Sequence, residues 1–279
     1  MIAQPLTDFS RLSINDATTK VQWTLEEEIR GYADMGIHGI SIWRDKLEEC
    51  GVSKAAQLLR DNNMTVTGVC RGGMFPATTR EARKAAVEDN WRAIDDAAQL
   101  NAQCLVLVVG GLPEHSKDIA GARQMVLDGM HGIVEHARQA GMPLAIEPLH
   151  PMYAADRACV NTMGQANDLC DVLGEGVGIA LDVFHVWWDP ELKKQIQRAG
   201  KERLLAFHIC DWRMPMSDML LDRAMMGDGV IDIPLIRSWV EAEGYQGFHE
   251  VEIFSADHWW KKPAEEVLQV CKERYLTVV

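Results

Sequence analysis

Four ionisable residues in the second half of the chain each follow directly on apolar ones. They are Glu147 after Ala145-Ile146, Asp182 after Ala180-Leu181, His208 after Ala206-Phe207, and Glu252 after Val251. The gaps between them are 35, 26 and 44 residues, one strand-plus-helix unit or slightly more each time. Three carboxylates sharing a partly dry mouth repel one another, and a like-charge neighbour raises one pKa strongly. A divalent cation removes that conflict, and an oxygen-rich set with one imidazole suits Mn²⁺ first, with Mg²⁺ or Co²⁺ as alternatives. Structural zinc sites favour Cys and His and leave no open position, so they fit poorly. The plainer reading keeps each residue as an isolated strand end, salt-bridged to a loop.

The elements that must position these residues alternate along the chain. Short apolar runs predict strands at Leu12–Ile14, Gly39–Trp43, Thr65–Cys70, Cys104–Val109, Pro143–Glu147, Gly178–Asp182, Leu204–His208 and Phe248–Glu252. Amphipathic segments lie between them, such as Leu25–Met35, Thr79–Leu100 and Asp118–Ala140. Thr24 ahead of Glu26-Glu27-Glu28 and Gly141 after Ala140 stand where helix caps belong. Eight such units in 279 residues predict a single-domain α/β chain folded as a (β/α)8 TIM barrel over residues 1–279. A doubly wound open sheet is the alternative. In a barrel, functional groups gather at the C-terminal ends of the strands, which is where the four residues fall.

Composition narrows the partners. The chain is 47% hydrophobic and 25% charged, which excludes disordered and low-complexity classes. Lys and Arg number 28 against 41 Asp and Glu, a net charge of −13 with no run of five basic residues. Nucleic acid and anionic membranes are therefore not expected partners. No stretch reaches the roughly 20 apolar residues that span a bilayer, and Met1–Ser10 does not read as a signal peptide. Seven widely spaced Cys without a CxxC point to free thiols in a reducing cytoplasm.

Several segments together carry a family likeness. Ile146-Glu147-Pro148-Leu149, Leu181-Asp182-Val183-Phe184-His185, Phe207-His208-Ile209-Cys210-Asp211-Trp212-Arg213 and the stretch from Gly244 to Glu252 occur in order, with Gly227-Asp228-Gly229-Val230-Ile231-Asp232 among them. In these the chain resembles the xylose-isomerase-like TIM-barrel superfamily of sugar isomerases and epimerases, which also includes endonuclease IV. The resemblance implies one divalent metal held by Glu147, Asp182, His208 and Glu252, and no organic cofactor. It implies Glu147 and Glu252 as catalytic acid and base, His185 as a ligand of a substrate hydroxyl, and Arg213 as a substrate-binding arginine. It also implies a homo-oligomer. After Glu147 the chain reads Pro148-Leu149-His150-Pro151, with no counterpart of the epimerases' additional substrate-binding glutamate.

The reaction that needs these parts is proton abstraction beside a carbonyl, with the cation polarising that carbonyl and an enediolate as intermediate. Protonation of the same carbon's other face is epimerisation, and protonation of its neighbour is isomerisation. Loss of a β-substituent makes the enzyme a lyase, such as a dehydratase, a decarboxylase or a keto-glycoside-cleaving enzyme. The substrate is a small sugar or oxo-sugar in each case. Three further groups are candidates for contact with it. Arg71, leading Gly72-Gly73, either meets a carboxylate or phosphate with the adjoining amides or closes a plain turn. Trp43 either stacks on a sugar ring or anchors a loop, and His150 either touches substrate or hydrogen-bonds within its loop.

Overall fold

Alternating β-branched runs and capped amphipathic helices leave one economical arrangement, in which parallel strands close on themselves inside a ring of helices. The computed structural model describes residues 4–279; the first three residues of the Met1–Ser10 segment lie outside them. Its strands are β1 (Leu12–Asn15), β2 (Gly39–Trp43), β3 (Thr65–Gly73), β4 (Leu105–Val108), β5 (Leu144–Ile146), β6 (Val177–Asp182), β7 (Leu204–Ile209), β8 (Asp211–Trp212), β9 (Arg223–Ala224) and β10 (His249–Val251). Eight of them form a closed parallel barrel in the order β1-β10-β7-β6-β5-β4-β3-β2, while β8 and β9 pair as an antiparallel hairpin above it. The fold is thus the single-domain (β/α)8 barrel, not the open sheet.

Local chemistry explains the helix boundaries. Thr24 and Glu27 form a reciprocal capping box at Leu25–Asp34, and Thr79, Asp118, Thr162 and Asp232 cap later helices. Gly141 ends the helix Ile119–Ala140 at φ +66°, a left-handed conformation that costs glycine nothing. The strands agree with expectation to within a residue except β3, which continues three residues past Cys70 through Gly73. Arg71-Gly72-Gly73 is therefore strand rather than a turn, with Gly72 and Gly73 paired to Leu107 and Val108 and Arg71 at a register shift. Two features lacked a periodic signal: the helix Arg44–Cys50 and the β8–β9 hairpin.

The barrel interior is apolar only in part. Ser13, Thr67, Asn15 and Glu250 are buried within it, and the Ser13 and Thr67 hydroxyls share a hydrogen bond of 2.8 Å. The seven cysteines are free thiols. Among the described residues, no helix is long and apolar enough to cross a membrane.

Candidate metal centre

Strands β5, β6, β7 and β10 are consecutive staves of the barrel. Glu147 directly follows β5, Asp182 ends β6, His208 is the penultimate residue of β7, and Glu252 directly follows β10. Register sets their level: Asp182 lies opposite His208, while the amides of Glu147 and Glu252 donate to Leu107 and Ile209 on the neighbouring strands. All four are buried, and each offers a ligand atom within 4.8 Å of the others. Three carboxylates and one imidazole at that separation make a hard, oxygen-rich donor set that fits a divalent cation.

His208 is oriented for such a role. Its Nδ1 faces Glu147 Oε1 at 3.1 Å and Glu252 Oε2 at 3.7 Å, and its Nε2 lies 3.4 Å from Glu250 Oε1. Glu250 is held in turn by the Asn15 amide (2.9 Å) and the Thr67 hydroxyl (2.8 Å). A carboxylate behind an imidazole fixes the ring and makes the facing nitrogen a better donor atom. Asn15 also donates to Glu252 Oε1 at 3.1 Å and accepts from Trp43 Nε1 at 2.9 Å, so one side chain ties three residues together.

A positive side chain among these carboxylates is Arg223 on β9. Its Nη1 donates to Asp182 Oδ2 (2.8 Å) and Glu252 Oε2 (3.1 Å), and its Nη2 lies 3.2 Å from His185 Nε2. The guanidinium covers the Phe184 ring at 4.4 Å. Arg213, by contrast, points to a separate cavity and sits 3.2 Å from Asp222. The resemblance implied Arg213; the β8–β9 hairpin instead brings Arg223, four residues before Gly227, to the cavity and leaves Arg213 outside it. Asp211 accepts from the amides of Gly227 (3.0 Å), Gly229 (2.9 Å) and Ile231 (2.9 Å), folding the turn back over β8. A Cβ on Gly229 would meet the Trp212 carbonyl at 2.3 Å, so that wrap requires glycine.

Electrostatics follow from burial and these contacts. Burial pushes Glu252 up to about 8, although Arg223 and His208 pull the other way. Burial acts to raise Asp182 too, yet Arg223 and His185 hold it below the ordinary carboxylate value. Burial alone would discharge His208, but Glu250, Glu147 and Glu252 keep its pKa well above 6.5. His185 is pushed down to about 3 by burial and is neutral at physiological pH.

Above the cluster opens a cavity of ≈ 320 Å³, within the usual range for small-molecule sites. Glu147, Glu252, His185 and Arg223 reach it from the floor, with Trp43, Arg71, Tyr153, Phe254 and Trp260 around the walls. His150 is not among the lining residues. Its ring packs against Trp212 at 5.0 Å and Trp188 at 5.6 Å, its Nδ1 accepts from the Met152 amide, and burial lowers its pKa. Trp187 and Trp188 belong to that same packing, whereas Trp260 faces the cavity.

The family model described as xylose isomerase-like TIM barrel matches residues 29–274. The chain belongs to the xylose isomerase-like TIM-barrel family. Within this enzyme family, inosose isomerase of Halalkalibacterium halodurans is 28% identical over 149 residues, 52% of this chain. The match spans 51%, about half, of that relative's length. The 3-dehydroshikimate dehydratase of Pseudomonas putida is 24% identical over 252 residues, 86% of this chain and 37% of that protein. Among solved structures, protein SMc04130 from Sinorhizobium meliloti 1021 is 56% identical, with a TM-score of 0.96 over 97% of this chain and 99% of that one. The IolI protein, solved with a binding zinc atom, shares the fold at 20% identity, with a TM-score of 0.81 over 96% of this chain and 98% of that one.

Proposed function

We propose that this chain is a divalent-metal-dependent isomerase or epimerase of a small sugar or keto-sugar, which removes a proton beside a carbonyl and passes through an enediolate. The observation that carries the reading is the convergence of Glu147, Asp182, His208 and Glu252 within 4.8 Å, with both glutamates facing the cavity. These four residues would hold the ion. Mn²⁺ is our choice from the donor set, Mg²⁺ and Co²⁺ suiting it as well; zinc is the metal named for the IolI structure. When bound, the ion supplies Lewis acidity to the substrate carbonyl, worth several kcal/mol.

The chain's own groups do the rest. Glu252 and Glu147, both facing the cavity, are suited one to take the carbon-bound proton and the other to return one. His185, kept neutral, accepts from Arg223 at Nε2, which leaves its Nδ1–H as the donor for a substrate hydroxyl. Arg223, fixed by Asp182 and Glu252, presents a guanidinium to the negative charge that develops on the substrate oxygens. Trp43, Phe254 and Trp260 offer apolar faces to a sugar ring and limit water access. A homo-oligomer working in the cytoplasm on a sugar, and not on nucleic acid or membrane, completes this reading.

A lyase on an oxo-sugar is the second reading. It is favoured by the alignment with a dehydratase over 86% of the chain and by Pro148-Leu149-His150-Pro151, where epimerases carry a glutamate. Proton NMR of the Mn²⁺-exchanged, then Mg²⁺-loaded protein in D₂O, with a panel of ketoses, oxo-sugars and their phosphates, separates the two. Deuterium uptake beside the carbonyl with all substituents retained supports the isomerase or epimerase. Release of water, CO₂ or an aglycone makes the enzyme a lyase, and no metal-dependent change with any compound contradicts both.

A further inference from the structure

The cavity holds more positive charge than its floor requires. Arg223 is used by Asp182 and Glu252, and Lys20 pairs with Asp45 at 2.5 Å. Arg71 is different. Near the C-terminal end of β3, it lines the cavity, is largely withdrawn from solvent, and its side chain makes no hydrogen bond or ion pair with any described residue. Arg157 reaches the same cavity from the loop after β5. Its Nε is buried without a hydrogen-bond acceptor, Asp156 Oδ2 approaching to 3.5 Å, and its guanidinium lies 5.7 Å from the Tyr153 ring centre.

Two guanidinium groups facing one small cavity repel each other, and only Arg157 has a carboxylate near it, Asp156, at 3.5 Å from a buried Nε that makes no hydrogen bond. Burial, then the neighbouring Arg157 charge, pulls the Arg71 pKa below its usual value. The backbone does not supply the missing anion site, because the Gly73 amide already donates to Asn90 Oδ1 at 2.6 Å. Tyr153, whose hydroxyl donates to the Met219 carbonyl, links the Arg157 loop to the hairpin loop that covers the site. Arg71 and Arg157 share a ≈ 320 Å³ space with Glu147 and Glu252, so one monosaccharide-sized molecule would contact both sets.

We propose that Arg71 and Arg157 form an anion subsite, and that the substrate is a keto-sugar bearing a carboxylate or a phosphate at the end away from its reacting carbonyl. This rests on the reaction proposed above for the same site. Guanidinium recognises either group through paired charge-assisted hydrogen bonds.

The test is calorimetric titration of the Mn²⁺-loaded protein with D-glucose, D-glucuronate and D-glucose 6-phosphate, for the wild type, Arg71→Met, Arg157→Met and Arg71→Lys. At least one anionic sugar should bind about tenfold or more tighter than glucose, with the advantage shrinking at high salt. Arg71→Met and Arg157→Met should each cut the advantage, and Arg71→Lys should keep part of it, all at unchanged metal stoichiometry. An advantage confined to glucuronate assigns a carboxylate, and one confined to the phosphate assigns a phosphate ester. Equal binding of all three sugars, or an advantage that survives both Met variants, overturns the subsite. Deuterium exchange into a neutral ketose without any anionic preference also overturns it while leaving the reaction in place. An arginine-dependent preference without exchange in any compound upholds the subsite and overturns the reaction.

Discussion

At the scale of single residues, the site is a problem of like charges solved by placement. Glu147, Asp182 and Glu252 are buried close together, and His208 and Arg223 are the positive groups set among them. Glu252 carries the heaviest chemical load in this account. Glu252→Gln keeps an oxygen for the ion but loses the base, so turnover should fall by about 10²–10⁴-fold with metal stoichiometry preserved. Steady-state rates alongside metal analysis check this, and near-normal turnover would remove Glu252 as the base. The four cluster residues were legible because each is an ionisable group at the end of an apolar run. Arg223 was not, because it follows Leu220-Leu221-Asp222 on a hairpin that has no helical or strand period to mark it. Asn15 was equally hidden: an amide just past an apolar run looks like any strand end until its partners Trp43, Glu250 and Glu252 arrive from β2 and β10.

At the scale of elements, the β8–β9 hairpin is the device that brings Arg223 to the floor of the cavity, and Asp211 is its clasp. Besides Gly227, Gly229 and Ile231, Asp211 accepts from its neighbour Trp212 at 2.8 Å. Asp211→Ala leaves those amides without their shared acceptor, which should cost at least about 2 kcal/mol of stability. Turnover should drop as well, because Arg223 is no longer held. Urea denaturation and rate measurements on the same variant test both halves, and an unchanged midpoint would contradict the clasp.

The β10 strand makes a second elemental contact, where His249 lies buried against Tyr275 of the C-terminal helix Ala264–Val278 at 3.0 Å, with Glu241 at 3.6 Å. Burial pushes the His249 pKa down to about 4 from the ordinary 6.5, so between those values the unfolded chain binds a proton that the folded chain does not. The stability contributed by the neutral ring is complete above pH 6.5 and is lost as the pH falls through about 4, a change of roughly 3 kcal/mol. Denaturation midpoints at pH 7 and pH 4.5 should converge in His249→Gln relative to the wild type. An identical pH dependence in both proteins would count against this contact.

At the scale of the whole molecule, the alternation of strands and capped helices was enough to specify the barrel, because each unit buries its apolar face only against its neighbours. Strand order then does the chemical work: β5, β6, β7 and β10 are adjacent, so residues 105 positions apart in the chain meet at one point. What periodicity could not carry was the loop layer above the strands, where the Tyr153–Arg157 loop and the hairpin line the cavity. A cation that binds only this assembled cluster stabilises the fold by about 2.7 kcal/mol at a hundredfold excess over its Kd. Mn²⁺ should therefore raise the melting temperature and a chelator reverse it, while Asp182→Ala should respond to neither. A wild-type melting temperature indifferent to metal would contradict that linkage.

The most direct test of the central claim is anomalous diffraction from crystals of the wild-type chain soaked in Mn²⁺. A single strong peak is expected among Glu147, Asp182, His208 and Glu252, with His208 contributing the Nδ1 that faces the cluster. No peak there, or a peak held by other side chains, would mean that the four strand ends meet for a reason other than metal chemistry.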